Sequence, residues 1–456
     1  MRAYQTDFSR GSVYRNIMQV MLPMMVAQIL NLLYNIVDRM YIGKMEGVGT
    51  QALSGLGLCF PILMFVTAFA NLIGSGGAPL CAMERGKGDQ DEAEKIMCNS
   101  FFLLLLLGAV LTVAGLIFHR PLLYLFGASD AIYSYARDYI VIYLCGSIFV
   151  MIALGMNPFI NSQGFARTGM LTVLLGACVN ILLDPVFIFG FGWGVRGAAF
   201  ATVLSQFLSA VWVLRFLTSG SAVLKLKAAG FKLQARRVKK ILSLGMAGFV
   251  MSCTNSVVQA VCNSMLQTAG GDLYIGVMTV VNSIREIAQT PAQAIGDGAS
   301  PVMSFNYGEG QYGKVKKGIR FMTFLTLGYL AVMWLILFLF PRPFIVIFNR
   351  EPALVEAAVP CLHFYFFGFF MMAFQIAGQS AFKSLGFAKQ AVFFSLFRKI
   401  VIVVPLTFLL PHVAGLGVMG VFLAEPISNF IGGAACYIAM SATVLPVLKK
   451  EKISRR

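Results

Sequence analysis

The sequence predicts an all-α polytopic membrane protein with twelve transmembrane helices in two six-helix bundles. Three observations predict it: an apolar composition, a series of bilayer-length apolar runs, and an internal repeat. Of 456 residues, 58% are hydrophobic and 12% charged, with a mean hydropathy of +0.78. Soluble domains carry about 25% charged and about 45–50% apolar residues, so this chain has too little polar surface to cover itself in water.

A helical span needs about 20 mostly apolar residues. Twelve such runs lie near 17–43, 52–83, 97–119, 132–155, 168–190, 195–218, 240–268, 274–304, 319–341, 355–378, 391–411 and 416–446. In lipid, helices satisfy their own backbone, which makes each run a helix. The start, "MRAYQTDFSRGSVYRNI", is polar and basic, without the apolar core of a signal peptide, and reads as a cytoplasmic tail.

Lys and Arg set the orientation. One side of the membrane takes Arg2, Arg10 and Arg15, Arg85 to Lys95, Arg167, Arg215 to Lys240, Lys314 to Arg320, Lys383, Lys389 and Lys449 to Arg456. The other side takes Lys44, Arg120, Arg196, Arg342 and Arg350. Both termini are therefore expected in the cytoplasm, as an even number of spans requires. The net charge of +17 follows from this asymmetry and from contact with anionic headgroups of the lipid bilayer, and is not a sign of nucleic acid.

The repeat has an offset of 222 residues. It lays "GSGGAPLCAMERGKG" (74–88) on "GDGASPVMSFNYGEG" (296–310) and "SQGFA" (162–166) on "SLGFA" (384–388). Tyr143 then matches Tyr365. After a slip of one residue, "GWGVRGAAFA" (192–201) meets "GLGVMGVFLA" (415–424). This predicts an N-terminal six-helix lobe over 1–220, a basic cytoplasmic linker over 221–239 and a C-terminal six-helix lobe over 240–456. Parallel repeats of this kind are common in secondary transporters, which bind substrate between halves and expose it to each side in turn.

An ATP-driven pump is excluded as far as its phosphate loop goes. "GEGQYGKV" (308–315) has the glycine–lysine spacing, but Val315 supplies no hydroxyl for magnesium and the segment joins two spans. Energy is expected from an ion gradient, with no cofactor and no required protein partner. The nine cysteines are scattered without CxxC spacing, and His119, His363 and His412 show no ligand spacing, so metal-centred or nucleophilic catalysis is not expected.

Polar residues inside the spans carry the functional signal, because intramembrane carboxylates are functional by default. In the first span Gln28, Asn31, Asn35 and Asp38 share a helical face, with Tyr34 among them. In the fifth, Asn180 and Asp184 are four apart, with Pro185 loosening the backbone beside them; the sixth carries Thr202. Asp38, Asn180, Asp184 and Thr202 offer carboxylate, amide and hydroxyl oxygens to a small hard cation such as Na+. Alternatively, two nearby carboxylates in a low dielectric share a proton. The residues support either ion equally. The eighth span has its own stripe, Asn282, Glu286, Gln289 and Gln293, and the seventh offers Asn255, Gln259 and Asn263. Asn31, Tyr34, Asn35, Asn282, Glu286 and Gln289 are the candidate substrate contacts. Arg398 and Lys399 in the eleventh span are candidate structural partners for Asp38 or Glu286. By the shifted repeat, Thr202 faces Glu425.

"LYNIVDRMYIGKMEG", "GSGGAPLCAMERGKGD" and "NILLDPVFIFGFGWGVRGAAFATVLSQ", together with the six-helix repeat, resemble the multidrug and toxic compound extrusion (MATE) family and its MepA-type bacterial branch. The resemblance covers essentially the whole chain. It implies a V-shaped pair of bundles in a bacterial cytoplasmic membrane, exporting small cationic amphipathic compounds in exchange for H+ or Na+. It also implies a cation pocket at Asp38, Asn180, Asp184 and Thr202, and a role for Glu286. Acidic residues that other branches carry on the seventh and tenth helices are replaced here by Asn255 and Gln259, and by His363 and Gln375, which argues against a cation site in the C-terminal half. A lipid or lipid-linked saccharide flippase is the rival within transport. It would be expected to have a cationic cavity, whereas the mid-span charges named are mainly acidic. A non-transporting receptor or assembly protein would need a long exposed loop, and the largest connection is the linker.

Overall fold

The computed structural model describes residues 5–45, 49–126, 128–227, 232–413 and 415–454, and among these there is no strand. Arg2, Arg455, Arg456 and linker residues 228–231 lie outside the described residues. All twelve expected spans are present as helices. The first three are Val13–Gly43, Gly49–Gly86 and Gln90–Leu125. The fourth is bent, Asp130–Cys145 followed by Ser147–Ser162. The fifth, Ala166–Pro185, runs into a π-helical turn at Val186–Gly190, and the sixth is Val195–Thr218.

The second six repeat this order. Ala235–Gly270, Asp272–Gly308 and Tyr312–Leu339 are the seventh to ninth. A short helix, Pro341–Phe348, precedes the bent tenth, whose arms are Pro352–Tyr365 and Met372–Ser384. The eleventh, from Ala388, is π-helical over Phe397–Val403, and the twelfth, from Val418, is π-helical over Asn429–Gly433. Nine described helices are long and apolar enough to cross a membrane singly, and the two bent pairs, at 57° and 45°, add two more. The eighth falls short of that test because of its polar stripe. Large side chains such as Ile117, Leu125, Leu182, Phe324 and Ile438 are exposed, as a surface bathed in lipid allows.

Both bends were missed in the sequence, and both sit at glycine. Gly146 separates the two arms of the fourth span, where a Cβ would stand 2.3 Å from Val203. Gly368, 222 residues later, takes a left-handed φ of 67° beside Phe430.

The chain forms two compact units. One comprises residues up to Asp7 with Leu22–Gly245; the other comprises Phe8–Met21 with Met246–Arg456. In the first, the start of the seventh span lies against the second: a Cβ on Gly76 would stand 2.1 Å from the Ile241 carbonyl, so only glycine permits the crossing. In the other, the start of the first span lies against the eighth, with Gly298 facing the Met21 backbone. Gly76 and Gly298 are equivalent in the repeat, which gives the recurring glycine motif its physical reason.

The linker is held to the first unit by charge and hydrogen bonds. Arg237 donates to both oxygens of Glu92. Lys225 N–H donates to Glu94, Leu224 N–H to Gln163, and Gln234 N–H to Asn99.

Candidate functional site

In the first unit, the fifth and sixth spans pack side by side. Their crossing is close because Gly176 faces Ser209 with no side chain between them. That closeness brings Asn180 within reach of both neighbours: its amide donates to Asp184 Oδ1 at 3.3 Å and to Thr202 Oγ1 at 3.4 Å. Thr202 in turn donates to the Ala198 carbonyl. Asp38 arrives from the first span and its carboxyl lies against that of Asp184. All four residues are buried. The structure therefore brings together the four oxygen-bearing residues named from the sequence.

The arrangement is short of donors. Asp38 Oδ1, Asn180 Oδ1 and Asp184 Oδ2 are buried without a hydrogen-bond partner among the described residues. A single charge in the centre of a bilayer costs about 2.5–3.5 kcal/mol on insertion scales, and two adjacent carboxylates repel as well. Three orphaned acceptors and two like charges are what a proton or a small hard cation would satisfy.

Three tyrosines complete the pocket. Tyr34 stands beside Asp38 and Asp184. Tyr139 lies beside Thr202 and stacks on Tyr143, with ring centroids 6.3 Å apart. Tyr139 and Tyr143 were missed in the sequence, although two tyrosines four residues apart inside an apolar span were the available signal. Asn31 and Asn35 are exposed, and Asn35 donates to the Asn31 carbonyl. Arg39 lies over the Phe60 ring.

The second unit holds a different cluster. Lys399 Nζ donates to both oxygens of Glu425, at 2.8 and 3.1 Å. Arg398 approaches the same carboxylate at 3.3 Å and Arg285 at 3.5 Å. Arg398 also donates to Asn429. The partner of Arg398 and Lys399 is therefore Glu425, which corrects the pairing with Asp38 or Glu286 drawn from the sequence. Spacing along one helix cannot say which residue a neighbouring helix offers. The mainly acidic character expected of mid-span charge holds in the first unit and not in this one. Of the eighth-span stripe, Asn282 lines a cavity beside Lys399 and Glu425, and Gln289 lines a second cavity with Gln293, Gln375 and Gln379; Glu286 is exposed.

The profile of the MatE family matches residues 23–186 and again residues 248–409, once in each half. The chain belongs to the MatE family. Among its relatives, an "FAD transporter" of Shewanella oneidensis is 24% identical over 451 residues, covering 95% of both chains. The "Multidrug export protein MepA" of Staphylococcus haemolyticus is 23% identical over 351 residues, 77% of both chains. The fold matches a solved outward-facing multidrug resistance MATE transporter of the MOP superfamily with a TM-score of 0.91 at 23% identity, over 98% of this chain and 100% of that one. This MatE protein is thus a multi-pass membrane transporter with the twelve-helix architecture of its family.

Proposed function

We propose that this MatE protein is an ion-coupled antiporter that exports small cationic amphipathic compounds, with Asp38, Asn180, Asp184 and Thr202 handling H+ or Na+. One observation carries the reading: two buried carboxylates lie against each other, with oxygens left unpartnered. A cationic cargo and the coupling ion are then mutually unfavourable. An ion entering from outside neutralises the carboxylates, removes their attraction for the cargo and releases it outward; the return step carries the ion in. Asn31, Tyr34 and Asn35 of the first unit, and Asn282, Glu286 and Gln289 of the second, are the proposed cargo contacts. The halves 1–220 and 240–456 act as the two moving lobes joined by the linker 221–239, and both termini face the cytoplasm.

The test is ethidium efflux from proteoliposomes under proton and sodium gradients imposed separately. Wild-type efflux should follow one gradient and disappear in Asp184→Asn. Efflux by Asp184→Asn at the wild-type rate would overturn the mechanism.

A second reading has its own support. The cationic cluster around Glu425 suits an acidic cargo, and the Shewanella relative carries the name of a flavin dinucleotide transporter. Loading the same proteoliposomes with FAD separates the two readings: gradient-driven loss of FAD without loss of ethidium selects the second.

A further inference from the structure

Three cations in the second unit, Arg285, Arg398 and Lys399, share one carboxylate, Glu425. Counted as formal charges among the described ion pairs, the three cations exceed their one carboxylate by two. Lys399 and Glu425 are buried, and so is Arg398. Taking charge out of water is expensive unless it is paired and hydrogen-bonded, and the pairing here is incomplete. Glu286, the next residue after Arg285, is exposed and does not bury a second carboxylate in the cluster.

A cavity lies beside the excess charge. Its walls include Asn255, Asn282, Arg285, Tyr365, Lys399 and Glu425, and its volume is about 20 Å³, enough for one group the size of a water or a small ion. Arg285 Nε is buried and has no hydrogen-bond partner among the described residues. A guanidinium N–H without an acceptor, at the edge of a small cavity, is a vacant charge-assisted donor. Asn255 lines the same cavity with its amide oxygen unpartnered, and a half-turn of that amide presents its NH2 instead. Asn282 is already fixed, donating to Gln259 at 2.8 Å and accepting from Tyr365 at 3.4 Å, so the wall is organised before anything binds.

We propose that this cavity binds one small anion, a halide or a single acid group, as the missing counter-ion of Arg285 and Lys399. The site belongs to the second unit alone; where the acid group is one borne by the cargo, it rests on the acidic-cargo reading above. Its ligand comes either from free inorganic anion or from an acid group borne on an organic molecule.

The experiment measures the apparent melting temperature of the detergent-solubilised full chain against sodium chloride, sodium benzoate and sodium gluconate at matched ionic strength. A ligand that binds only the folded state raises the melting temperature saturably by mass action. Chloride should do so; benzoate, a carboxylate on a flat ring, probes for an acid group, and gluconate, a carboxylate crowded by hydroxyls along its whole chain, is the control that should not. Saturation by chloride alone assigns the site to free halide; saturation by benzoate as well assigns it to acid groups on organic molecules. Arg285→Gln should weaken the chloride midpoint by about tenfold, the size expected for one charge-assisted hydrogen bond. Glu425→Gln gives the sharper answer, because it leaves the cavity with more positive charge and should tighten chloride binding. If Glu425 is only a structural brace, the same change loosens the cluster and weakens binding. Equal responses to all three salts, an unchanged midpoint in Arg285→Gln, or weaker chloride binding in Glu425→Gln each overturn the proposal.

Discussion

Where the sixth span carries Thr202, the twelfth carries Glu425. Where the fifth carries Gly176 and Ala177, the eleventh carries Arg398 and Lys399. The helix crossings behind these pairs correspond: Gly176 faces Ser209 in the first unit, and Arg398 faces Gly432 in the second. Bulk has changed sides. In one crossing the fifth span gives up its side chain to a serine; in the other the twelfth gives up its side chain to an arginine. The outcome is a pair of pockets built on one plan with opposite charge, one with two carboxylates that no basic side chain pairs among the described salt bridges, the other with three cations and one carboxylate. A duplicated helix arrangement fixes where a pocket lies, and a few substitutions at the crossing fix what it attracts.

The largest expected difference between the pockets is in transport. Asp184→Asn removes one of two mutually repelling charges and should reduce gradient-driven efflux to the leak of protein-free liposomes, while thermal stability stays level or rises. Lys399→Met acts the other way. It removes the shortest of the three cation contacts to a buried carboxylate that keeps Arg398 and Arg285, a loss of about 1.5–3 kcal/mol, the size of a charged hydrogen bond. Its readout is a lower unfolding midpoint in denaturant or heat. If Asp184→Asn unfolded the protein, or Lys399→Met left stability intact, the division into an ion-handling pocket and a braced one would fail.

Much of the first pocket was legible because its residues are local. Asn180 and Asp184 are one helical turn apart, and a carboxylate such as Asp38 in an apolar span announces itself by its cost. The second pocket was not legible for the same physical reason inverted: its members come from the eighth, eleventh and twelfth spans, and no spacing rule links Arg285, Lys399 and Glu425. The eighth-span stripe shows a further limit. Asn282, Glu286 and Gln289 share a broad face, yet that face is wide enough to send Asn282 and Gln289 into two different cavities and leave Glu286 exposed. The helices were legible as long apolar runs, the polar eighth also from its place in the repeat, whereas the bends at Gly146 and Gly368 required recognising that two glycines 222 residues apart do the same work.

The exchange of bulk at the crossing gives a smaller, paired prediction. A Cβ on Gly432 would stand 2.7 Å from Arg398 Cγ and 3.1 Å from its Cβ, so Gly432→Ala presses on the stem of a side chain that Glu425 and Asn429 hold in place. Overpacking of that kind costs about 1–3 kcal/mol. At Gly176 the nearest atom is the Ser209 hydroxyl, at 2.6 Å, with the next at 3.8 Å. A hydroxyl rotates away, and Gly176→Ala should cost less than about 1 kcal/mol. The comparison is made by thermal unfolding of the two single variants; equal losses would mean that the two crossings are not packed as opposites.

The smallest effects are expected at the tyrosines that the duplication kept. Tyr143 and Tyr365 are equivalent in the repeat, but their surroundings have diverged. Tyr143 stacks on Tyr139, which in turn lies beside Thr202 of the acidic pocket; Tyr365 donates to Asn282 on the wall of the basic one, at a long 3.4 Å. Removing one such hydroxyl forfeits about 0.5–1.5 kcal/mol, a few-fold in affinity or rate. Tyr365→Phe should therefore weaken the chloride midpoint a few-fold, because Asn282 is then held from one side only, with efflux changed less. Tyr139→Phe should do the reverse, slowing gradient-driven efflux a few-fold by taking a hydroxyl from the wall of the acidic pocket beside Thr202 while the chloride midpoint stays put. Measured together on the same preparations, the two variants ask whether each pocket answers only to its own tyrosine. A crossed result, with Tyr139→Phe moving the chloride midpoint, would mean that the two pockets are energetically one system and that their opposite charges balance each other.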